Sequence, residues 1–293
     1  MSRETFVVRA PASTANLGPG FDCAAAALDL WNELYVTPAV NGEPLVVLEG
    51  EGADELPHDA GHLALRAFAL VAPVEGYRFR FVNRIPLERG LGSSAATVAA
   101  GLVAGLTATG RVAALDEVLE LGLPLEGHAD NLAAAVRGGV CLIWRSGDHA
   151  RAQRLAIDLP LAAIVVVPGT RVNTKQSRSR LPEFLRHEEA AAAAAQSALL
   201  GAAIASGDAA LLADAFHDRL HEPFRAPDAP LLEELRLRPV TGSVGVTLSG
   251  SGPSVVVWAE KDKAGAAAAE LEARLLDARI LPLAIAEHGT EAS

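Results

Sequence analysis

The sequence has little aromatic, cysteine and lysine content. Phe, Trp and Tyr make up 4% of the 293 residues, so a buried core has to be built mainly from alanine, leucine and valine side chains. The two cysteines, Cys23 and Cys141, lie far apart and lack the paired spacing of zinc ligands. We therefore expect two buried free thiols in a reducing cytoplasm.

Positive charge and long hydrophobic runs are also scarce. Lys and Arg number 25 against 36 Asp and Glu, which gives a net charge of −11. Because nucleic acids and anionic membranes attract basic surfaces, neither is expected as a partner. The alanine-rich run at 190–205 is interrupted by Gln196 and Gly201, so it predicts a soluble helix rather than a membrane span. No signal peptide is expected in residues 1–13, and we predict a cytoplasmic globular protein.

Helical and strand-like patterns mix without the strict rhythm of a parallel α/β sheet, which favours an α+β fold. Strands are predicted at residues 5–9, 34–37, 45–49, 78–82, 139–144, 162–167, 254–258 and 281–285. Helices are predicted from residue 23 onward and at 62–71, 93–108, 183–216 and 263–275. We expect an N-terminal domain at 1–150 and a C-terminal domain at 151–293, with a linker at 146–149.

The strongest motif is PLERGLGSSAAT at residues 86–97. Gly90 and Gly92 permit positive φ and close backbone approach, and Ser93 and Ser94 follow where a helix begins. Backbone amides at the positive end of a helix dipole form a phosphate site, and nearby hydroxyls add donors or a route to Mg²⁺. The segment lacks the lysine of a Walker loop, and the alternative interpretation is an ordinary helix start capped by Ser93.

Two other loops are also candidates for ligand binding. PASTANLGPGFD, at 11–22, presents Asn16 and Asp22 in a loop restrained by proline and glycine, which suits a ligand amine or hydroxyl. TGSVGVTLSGSGPS, at 241–254, contains four glycines, a sign of crowded backbone. Taken singly, each is compatible with an ordinary turn.

Together and in this order, the three loops resemble the three motifs of the GHMP kinase superfamily, whose middle motif PxxxGLGSSAA is the ATP phosphate loop. The resemblance implies ATP and Mg²⁺ as cofactors. It also implies an N-terminal β-α lobe similar to ribosomal protein S5 domain 2, a C-terminal ferredoxin-like lobe, and an ATP cleft between them. The nucleotide-binding residues that it implies are Pro86, Leu87, Glu88, Arg89, Gly90, Leu91, Gly92, Ser93, Ser94, Ala95 and Ala96.

Four segments resemble the homoserine kinases within that superfamily. They are PASTANLGPGFD at 11–22, EGHADN at 126–131, TKQSRSRLP at 174–182 and HEPFR at 221–225. With the glycine loops, the resemblance extends from about residue 7 to residue 254. It implies ATP-dependent phosphorylation of L-homoserine to O-phospho-L-homoserine, a step of threonine biosynthesis.

Homoserine carries an ammonium, a carboxylate and a hydroxyl, and the matched segments offer a partner for each. Asp22 with Asn16 suits the ammonium. Arg178 and Arg225 suit the carboxylate, because guanidinium binds it bidentately, and Asn131 suits the hydroxyl. The substrate-binding residues implied by the resemblance are Asn16, Asp22, His128, Asn131, Thr174, Arg178, Arg225 and Gly250.

The metal ligands and the catalytic groups are less closely defined. For Mg²⁺ the resemblance implies a hydroxyl of Ser93 or its neighbour and a glutamate shortly before the EGHADN asparagine. Glu120 and Glu126 both qualify, and the spacing slightly favours Glu120. Asn131 and Arg178 are expected to act in catalysis. The resemblance predicts direct attack by the hydroxyl without a dedicated base, which leaves the role of the adjacent carboxylate, Asp130, open.

Two other functions remain open at this point. The first is a related kinase for a different alcohol, such as mevalonate or a sugar, although neither substrate calls for Arg178 and Arg225 beside Asp22. The second is an ATP-binding sensor of the same fold without catalysis, which the intact GLGSSAA motif disfavours. The oligomeric state is open between a monomer and a homodimer.

Overall fold

The computed structural model describes residues 5–39 and 45–293, which form two lobes, each built on one β-sheet. The strands are β1 Phe6–Asn16, β2 Gly20–Pro38, β3 Val46–Gly50, β4 Tyr77–Asn83, β5 Val140–Ser146, β6 His149–Ala156, β7 Leu161–Pro168, β8 Ser243–Leu248, β9 Val255–Glu260, β10 Ala278–Leu283 and β11 Glu291–Ala292. The helices are α1 Leu63–Ala69, α2 Ser93–Ala108, α3 Leu115–Glu126, α4 Asp130–Arg137, α5 Thr174–Arg178, α6 His187–Ser206, α7 Ala209–Ala215, α8 Glu222–Arg225, α9 Pro230–Leu237 and α10 Ala264–Arg274. Of the N-terminal segment considered for a signal peptide, residues 1–4 lie outside the described residues.

The N-terminal lobe contains a seven-stranded sheet organised around β2, a strand of 19 residues. β2 pairs antiparallel with β1 along its length, with β4 through its second half and with β5 through Ala24–Ala26. The helix predicted from residue 23 is therefore wrong. The alanine run there is fully buried, and small apolar residues fit a helix or a buried strand equally until their hydrogen-bonding partners are known.

The C-terminal lobe contains a four-stranded antiparallel sheet in the order β10-β7-β9-β8. Numbered within this lobe, that order is 4-1-3-2, with helices between the first and second strands and between the third and fourth. This is the split β-α-β arrangement of the ferredoxin-like fold. The predicted two-lobed α+β fold is confirmed.

The chain passes from the first sheet to the second at residues 157–160. β6 pairs with β5 as the second strand of a hairpin, so it belongs to the N-terminal lobe. The boundary predicted after residue 150 falls inside β6, and the predicted linker at 146–149 is the turn of this hairpin. The chain end also returns to the first lobe, where β11 pairs with β1.

The alanine-rich run lies in α6, as predicted, and its 20 residues bury only four side chains. Among residues 5–39 and 45–293, no helix combines the length and the apolarity needed to cross a bilayer.

Helix α2 forms the centre of the N-terminal lobe, and 12 of its 16 residues are buried. It packs closely against α1, because Gly101 has no side chain at the contact. A Cβ atom there would lie 2.2 Å from the carbonyl oxygen of Ala64, so only glycine permits this approach. The packing fixes the direction of α2, and its N-terminus points to the seam between the lobes.

His62 holds the start of α1. Its Nδ1 accepts a hydrogen bond from the backbone N–H of Ala64, and its ring packs 4.3 Å from that of Phe81. The side chain is almost fully buried, and this burial lowers the pKa of His62 to about 4. Protonation would remove the capping acceptor and place a positive charge at a helix N-terminus, so the folded protein favours the neutral ring.

We expect His62 to make the fold sensitive to acid. The unfolded chain binds a proton near the ordinary pKa of 6.5, whereas the folded chain does so only near 4, so stability is present above 6.5 and is lost as the pH falls between these values. Between about pH 8 and pH 5, wild type should lose about 2 kcal/mol more unfolding free energy than His62→Asn. Asparagine keeps the capping acceptor and does not titrate. Urea unfolding at both pH values measures the difference, and equal losses in the two proteins would contradict it.

Candidate active site

The three glycine loops meet in a cleft of about 430 Å³ between the lobes. Their contacts are mostly between backbone atoms. Ser13 N–H donates to the carbonyl of Leu91 at 3.1 Å, and Gly250 N–H donates to that of Ala15, also at 3.1 Å. The hydroxyl of Ser249 donates to the carbonyl of Gly90 at 2.7 Å. The two outer loops therefore hold the middle loop on both sides.

Glycine is required at two positions of the middle loop. Gly90 and Gly92 have φ of +73° and +66°. A Cβ atom on Gly90 would lie 2.1 Å from the carbonyl oxygen of Ser249, and one on Gly92 would lie 2.0 Å from the hydroxyl of Ser13. Gly92 caps α2, whose first turn contains no acidic residue, so the positive end of the helix dipole opens into the cleft. This geometry suits phosphate oxygens.

Most of the predicted nucleotide-binding residues line the cleft, and Leu87 and Ala96 do not. Ala96 belongs to α2, and its side chain is fully buried in the core. Arg89 lines the cleft, but its guanidinium is bound to three backbone carbonyls, among them Pro168 at 2.9 Å and Gly169 at 2.7 Å. Pro168 is the last residue of β7 and Gly169 follows it, so these two contacts tie the phosphate loop to the C-terminal lobe.

Of the two glutamates considered for the metal, Glu126 lies in the cleft and Glu120 does not. Glu120 is exposed. Both belong to α3, and six residues along a helix separate them by about 9 Å and about 240° around the axis, so they face different directions. The hydroxyl of Ser94 donates to the Glu126 carboxylate, and burial raises the pKa of Glu126. The slight preference for Glu120 from spacing is not supported by this placement.

The candidate metal ligands in the cleft are all oxygen atoms. In the described part of the chain, no three His, Cys, Asp or Glu side chains are grouped to hold a metal ion. Mg²⁺ does not require such a cage, because it commonly takes one or two carboxylates and completes its shell with phosphate oxygens and water. Ser93, Ser94 and Glu126 at the mouth of the phosphate loop fit that pattern.

Asn16 and Asp22 occupy a loop with unusual backbone geometry, since their φ angles are +75° and +56°. The Asn16 side chain accepts from the N–H of Asp22 at 3.1 Å and donates to the carbonyl of Gly250 at 3.0 Å. Asn16 thus braces the loop and joins it to the third glycine loop. Asp22 is left to present its carboxylate to the cleft.

Arg178 and Arg225 converge beside Asp22. Arg178 donates to the carboxylate of Asp22 at 2.7 Å, and both guanidinium groups lie about 5 Å above the ring of Phe21. Arg225 is 3% exposed, and burial, together with the charge of Arg178, lowers its pKa. Among the described residues, the Nε atoms of both arginines are buried without a hydrogen-bond partner. Two guanidinium groups side by side in the wall of the cleft suit an anion such as a carboxylate.

Asp130 and Asn131 begin α4 at the far side of the cleft. Asn131 accepts from the hydroxyl of Ser13 at 2.8 Å, and its N–H donates to the Asp130 carboxylate at 2.7 Å. Asp130 is 4% exposed, and burial raises its pKa. The remaining predicted residues, His128, Thr174 and Gly250, also line the cleft. Thr174 lies 3.3 Å from the hydroxyl of Ser251.

Several contributors were missed in the sequence, among them Lys175 of the TKQSRSRLP motif, which lines the cleft. Ser13 and Phe21 belong to the PASTANLGPGFD motif, and Ser251 belongs to the third glycine loop. Neither a hydroxyl that orients Asn131 nor a ring beneath two arginines can be recognised before the loops are placed together. The one signal in the sequence that could have identified these residues was that they belong to the matched motifs.

The chain is similar to several known proteins. Residues 60–139, which include the phosphate loop and α2 to α4, match the family model for the GHMP kinases N terminal domain. The chain is 40% identical to the homoserine kinase of Streptomyces coelicolor over 269 residues, which cover 88% of this chain and 85% of that one. It is 36% identical to the homoserine kinase of Moorella thermoacetica, over 97% of this chain and 98% of the relative.

A solved structure shows the same fold. The crystal structure of homoserine kinase from Cytophaga hutchinsonii superimposes with a TM-score of 0.86 over all of this chain and 98% of its own. Its sequence is 24% identical, so this likeness concerns the fold.

Proposed function

The chain belongs to the homoserine kinase family of the GHMP kinases, whose ATP-dependent reaction phosphorylates homoserine in threonine biosynthesis, and we propose how its cleft performs that reaction. The observation that carries the proposal is the convergence of Arg178 and Arg225 beside Asp22. In an α-amino acid, the ammonium and the carboxylate are borne by one carbon atom. A site for such a molecule needs an anion and a cation side by side, and Asp22 and the arginines supply them.

In this proposal, each end of homoserine has a separate partner. Asp22 binds the ammonium, and the guanidinium groups of Arg178 and Arg225, which line the cleft, bind the carboxylate. The hydroxyl then extends toward α4, where Asn131 orients it. His128, Thr174 and Gly250 line the remaining wall. Both guanidinium groups make cation–π contact with the ring of Phe21, which holds them close together.

ATP is bound as a substrate by the phosphate loop. The amides of the loop from Gly90 to Ala95 and the hydroxyls of Ser93 and Ser94 hold the β- and γ-phosphates at the N-terminus of α2. Ser93, Ser94 and Glu126 would hold Mg²⁺, which neutralises phosphate charge when bound. Glu126 would contribute as a carboxylate, because a bound cation favours the ionised form.

Phosphoryl transfer depends on how the protein positions the two reactants more than on covalent chemistry by its side chains. The hydroxyl oxygen of homoserine forms a bond to the γ-phosphorus, the bond from that phosphorus to the ADP oxygen breaks, and the hydroxyl proton passes to a phosphate oxygen. Asp130 directly precedes Asn131, but its buried carboxylate already accepts the N–H of Asn131. We propose that Asp130 orients α4 and does not act as the base.

Cytoplasmic location and assembly as a homodimer belong to the same proposal. Cys23 and Cys141 are free cysteines, and burial raises the pKa of both thiols, which supports a structural role in a reducing compartment.

The substrate assignment is tested with homoserine and a substrate that differs from it by one group. We expect kcat/KM for L-homoserine to exceed that for 3-amino-1-propanol, which lacks the carboxylate, by about 100-fold, since two charge-assisted hydrogen bonds are lost. Release of ADP measures both reactions, with mevalonate and galactose as further acceptors. Preference for mevalonate or galactose would overturn the assignment, and ATP binding without turnover on any acceptor would indicate a sensor.

The metal assignment is tested with two glutamates of one helix. Glu126→Gln should lower kcat on the order of 100-fold and raise the Mg²⁺ concentration needed for half-maximal rate, because a carboxylate ligand is lost while the acceptor for Ser94 remains. Glu120→Gln, on the exposed side of α3, should stay within about twofold of wild type. The reverse pattern in a Mg²⁺ titration would identify Glu120 as the ligand.

The proposal of direct attack is tested at Asp130. Asp130→Asn keeps an acceptor for the N–H of Asn131, so turnover should stay within about tenfold of wild type. A general base contributes at least about 100-fold. A loss of that size, with unchanged thermal unfolding and unchanged KM for ATP, would show that Asp130 takes the proton.

A further inference from the structure

His221 lies directly behind the proposed carboxylate site. It is fully buried and immediately precedes α8, the short helix that carries Arg225. Its ring stacks on Phe21 with 5.2 Å between centroids. Its two nitrogens have different partners, since Nε2 lies 2.9 Å from the carbonyl oxygen of Gly18 and Nδ1 lies 3.2 Å from Nη1 of Arg225.

These partners allow one tautomer of the ring. The Gly18 carbonyl can only accept, so the proton is on Nε2, and the guanidinium can only donate, so Nδ1 is the bare acceptor. Burial lowers the pKa of His221 to about 4, which keeps the ring neutral at physiological pH. A protonated ring would have no acceptor for Arg225.

The contact with His221 determines which edge of Arg225 is available. Nη1 donates to Nδ1 of His221 and to the carbonyl of Gly250 at 3.1 Å, which uses both of its protons. Nε, on the opposite edge, is buried without a partner among residues 5–39 and 45–293. An arginine side chain has many rotamers, and two fixed acceptors on one edge restrict it to a few of them. In the one adopted here Arg225 lines the cleft.

The position of His221 is itself fixed by the fold. One carboxylate oxygen of Asp218 accepts the backbone N–H groups of His221 and Glu222, both at 2.7 Å. The fully buried Glu222 accepts from the N–H of Leu248 at 2.7 Å, which joins α8 to β8, the strand within the third glycine segment. The ring of His221 is therefore a rigid link between Arg225 and the loop that carries Asp22.

We propose that His221 is a positioning residue that, through its bare Nδ1, aims Arg225 at the carboxylate of the amino-acid substrate. The proposal rests on the assignment of Arg225 to that carboxylate. The ring does not touch the substrate, and its second contact, with Gly18, holds the Asp22 loop in register with α8.

Two substitutions at this position separate the two contacts. The amide of Gln reaches the place of Nε2, so His221→Gln keeps a donor for Gly18 and loses the acceptor for Arg225. The amide of Asn reaches the place of Nδ1, so His221→Asn keeps the acceptor and loses the donor. The measured quantity is the ratio of kcat/KM for L-homoserine to kcat/KM for 3-amino-1-propanol, with KM for ATP and thermal unfolding as controls.

We expect His221→Gln to lower this ratio about tenfold, and His221→Asn to leave it within about threefold of wild type, with KM for ATP unchanged in both. A purely structural role would slow both acceptors equally and leave the ratio unchanged, and that result would overturn the proposal. Arg225→Met tests the assignment of Arg225 to the carboxylate separately from the role of His221. If it leaves the ratio unchanged, the carboxylate assignment itself is wrong; if it lowers the ratio while His221→Gln does not, only the role of His221 is wrong.

The wild-type protein provides a second test that does not depend on the folding of a variant. Nitrogen-15 spectra of histidine-labelled protein at neutral pH should show His221 as the Nε2-protonated tautomer. The Nδ1 resonance should shift when L-homoserine is added and should not shift with 3-amino-1-propanol. A proton on Nδ1, or equal shifts with both molecules, would contradict the proposal.

Discussion

The site depends on the close backbone contact between the phosphate loop and the third glycine loop. The α-carbon of Gly90 faces the carbonyl oxygen of Ser249 so closely that any side chain would collide with it, and the hydroxyl of the same serine donates to the carbonyl of Gly90. Because one loop belongs to each lobe, this contact sets the width of the cleft. Arg89 reinforces it by donating to two carbonyls at the end of β7. Helix α2 and the arginines of the other lobe are thereby held at a fixed separation.

Burial of charge distinguishes the two ends of the cleft. At the phosphate end, the charges come from the backbone dipole at the start of α2 and from Glu126, and Lys175 lines the same cleft. At the amino-acid end, Asp22, Arg178 and the nearly inaccessible Arg225 form a compact mixed cluster. Removing such groups from water costs free energy that one ion pair does not fully offset. In the proposed function, a zwitterionic substrate supplies the missing partners and the cluster selects for an amino acid.

Helix bounds, strand positions and the placement of side chains were not equally predictable from the sequence. Helix α2 was predicted with its observed bounds, because an uninterrupted run of small apolar residues follows a glycine loop. The alanine run after Cys23 was assigned to a helix and is a strand, since its pattern contains no periodicity that excludes either structure. The boundary after residue 150 cut through β6, because strand pairing cannot be recognised in one strand alone. The spacing slightly favoured Glu120 over Glu126, but of these two it is Glu126 that lines the cleft, because the rotation along α3 turns Glu120 away.

By itself, the sequence determined the order and chemistry of the three glycine loops, the acidic surface, and the amino-acid-like set of Asp22, Arg178 and Arg225. These are properties of residue type and spacing, which are fixed before folding. The tertiary structure alone decided which atoms of those residues remain free to bind. Asn16 is used to brace its loop, Arg89 to join the lobes, and one edge of Arg225 to contact His221. The reason is that each polar atom takes the partner that folding brings within reach. Gly250 lies 234 residues from Asn16 and Pro168 lies 79 residues from Arg89, so neither contact can be recognised in a local motif.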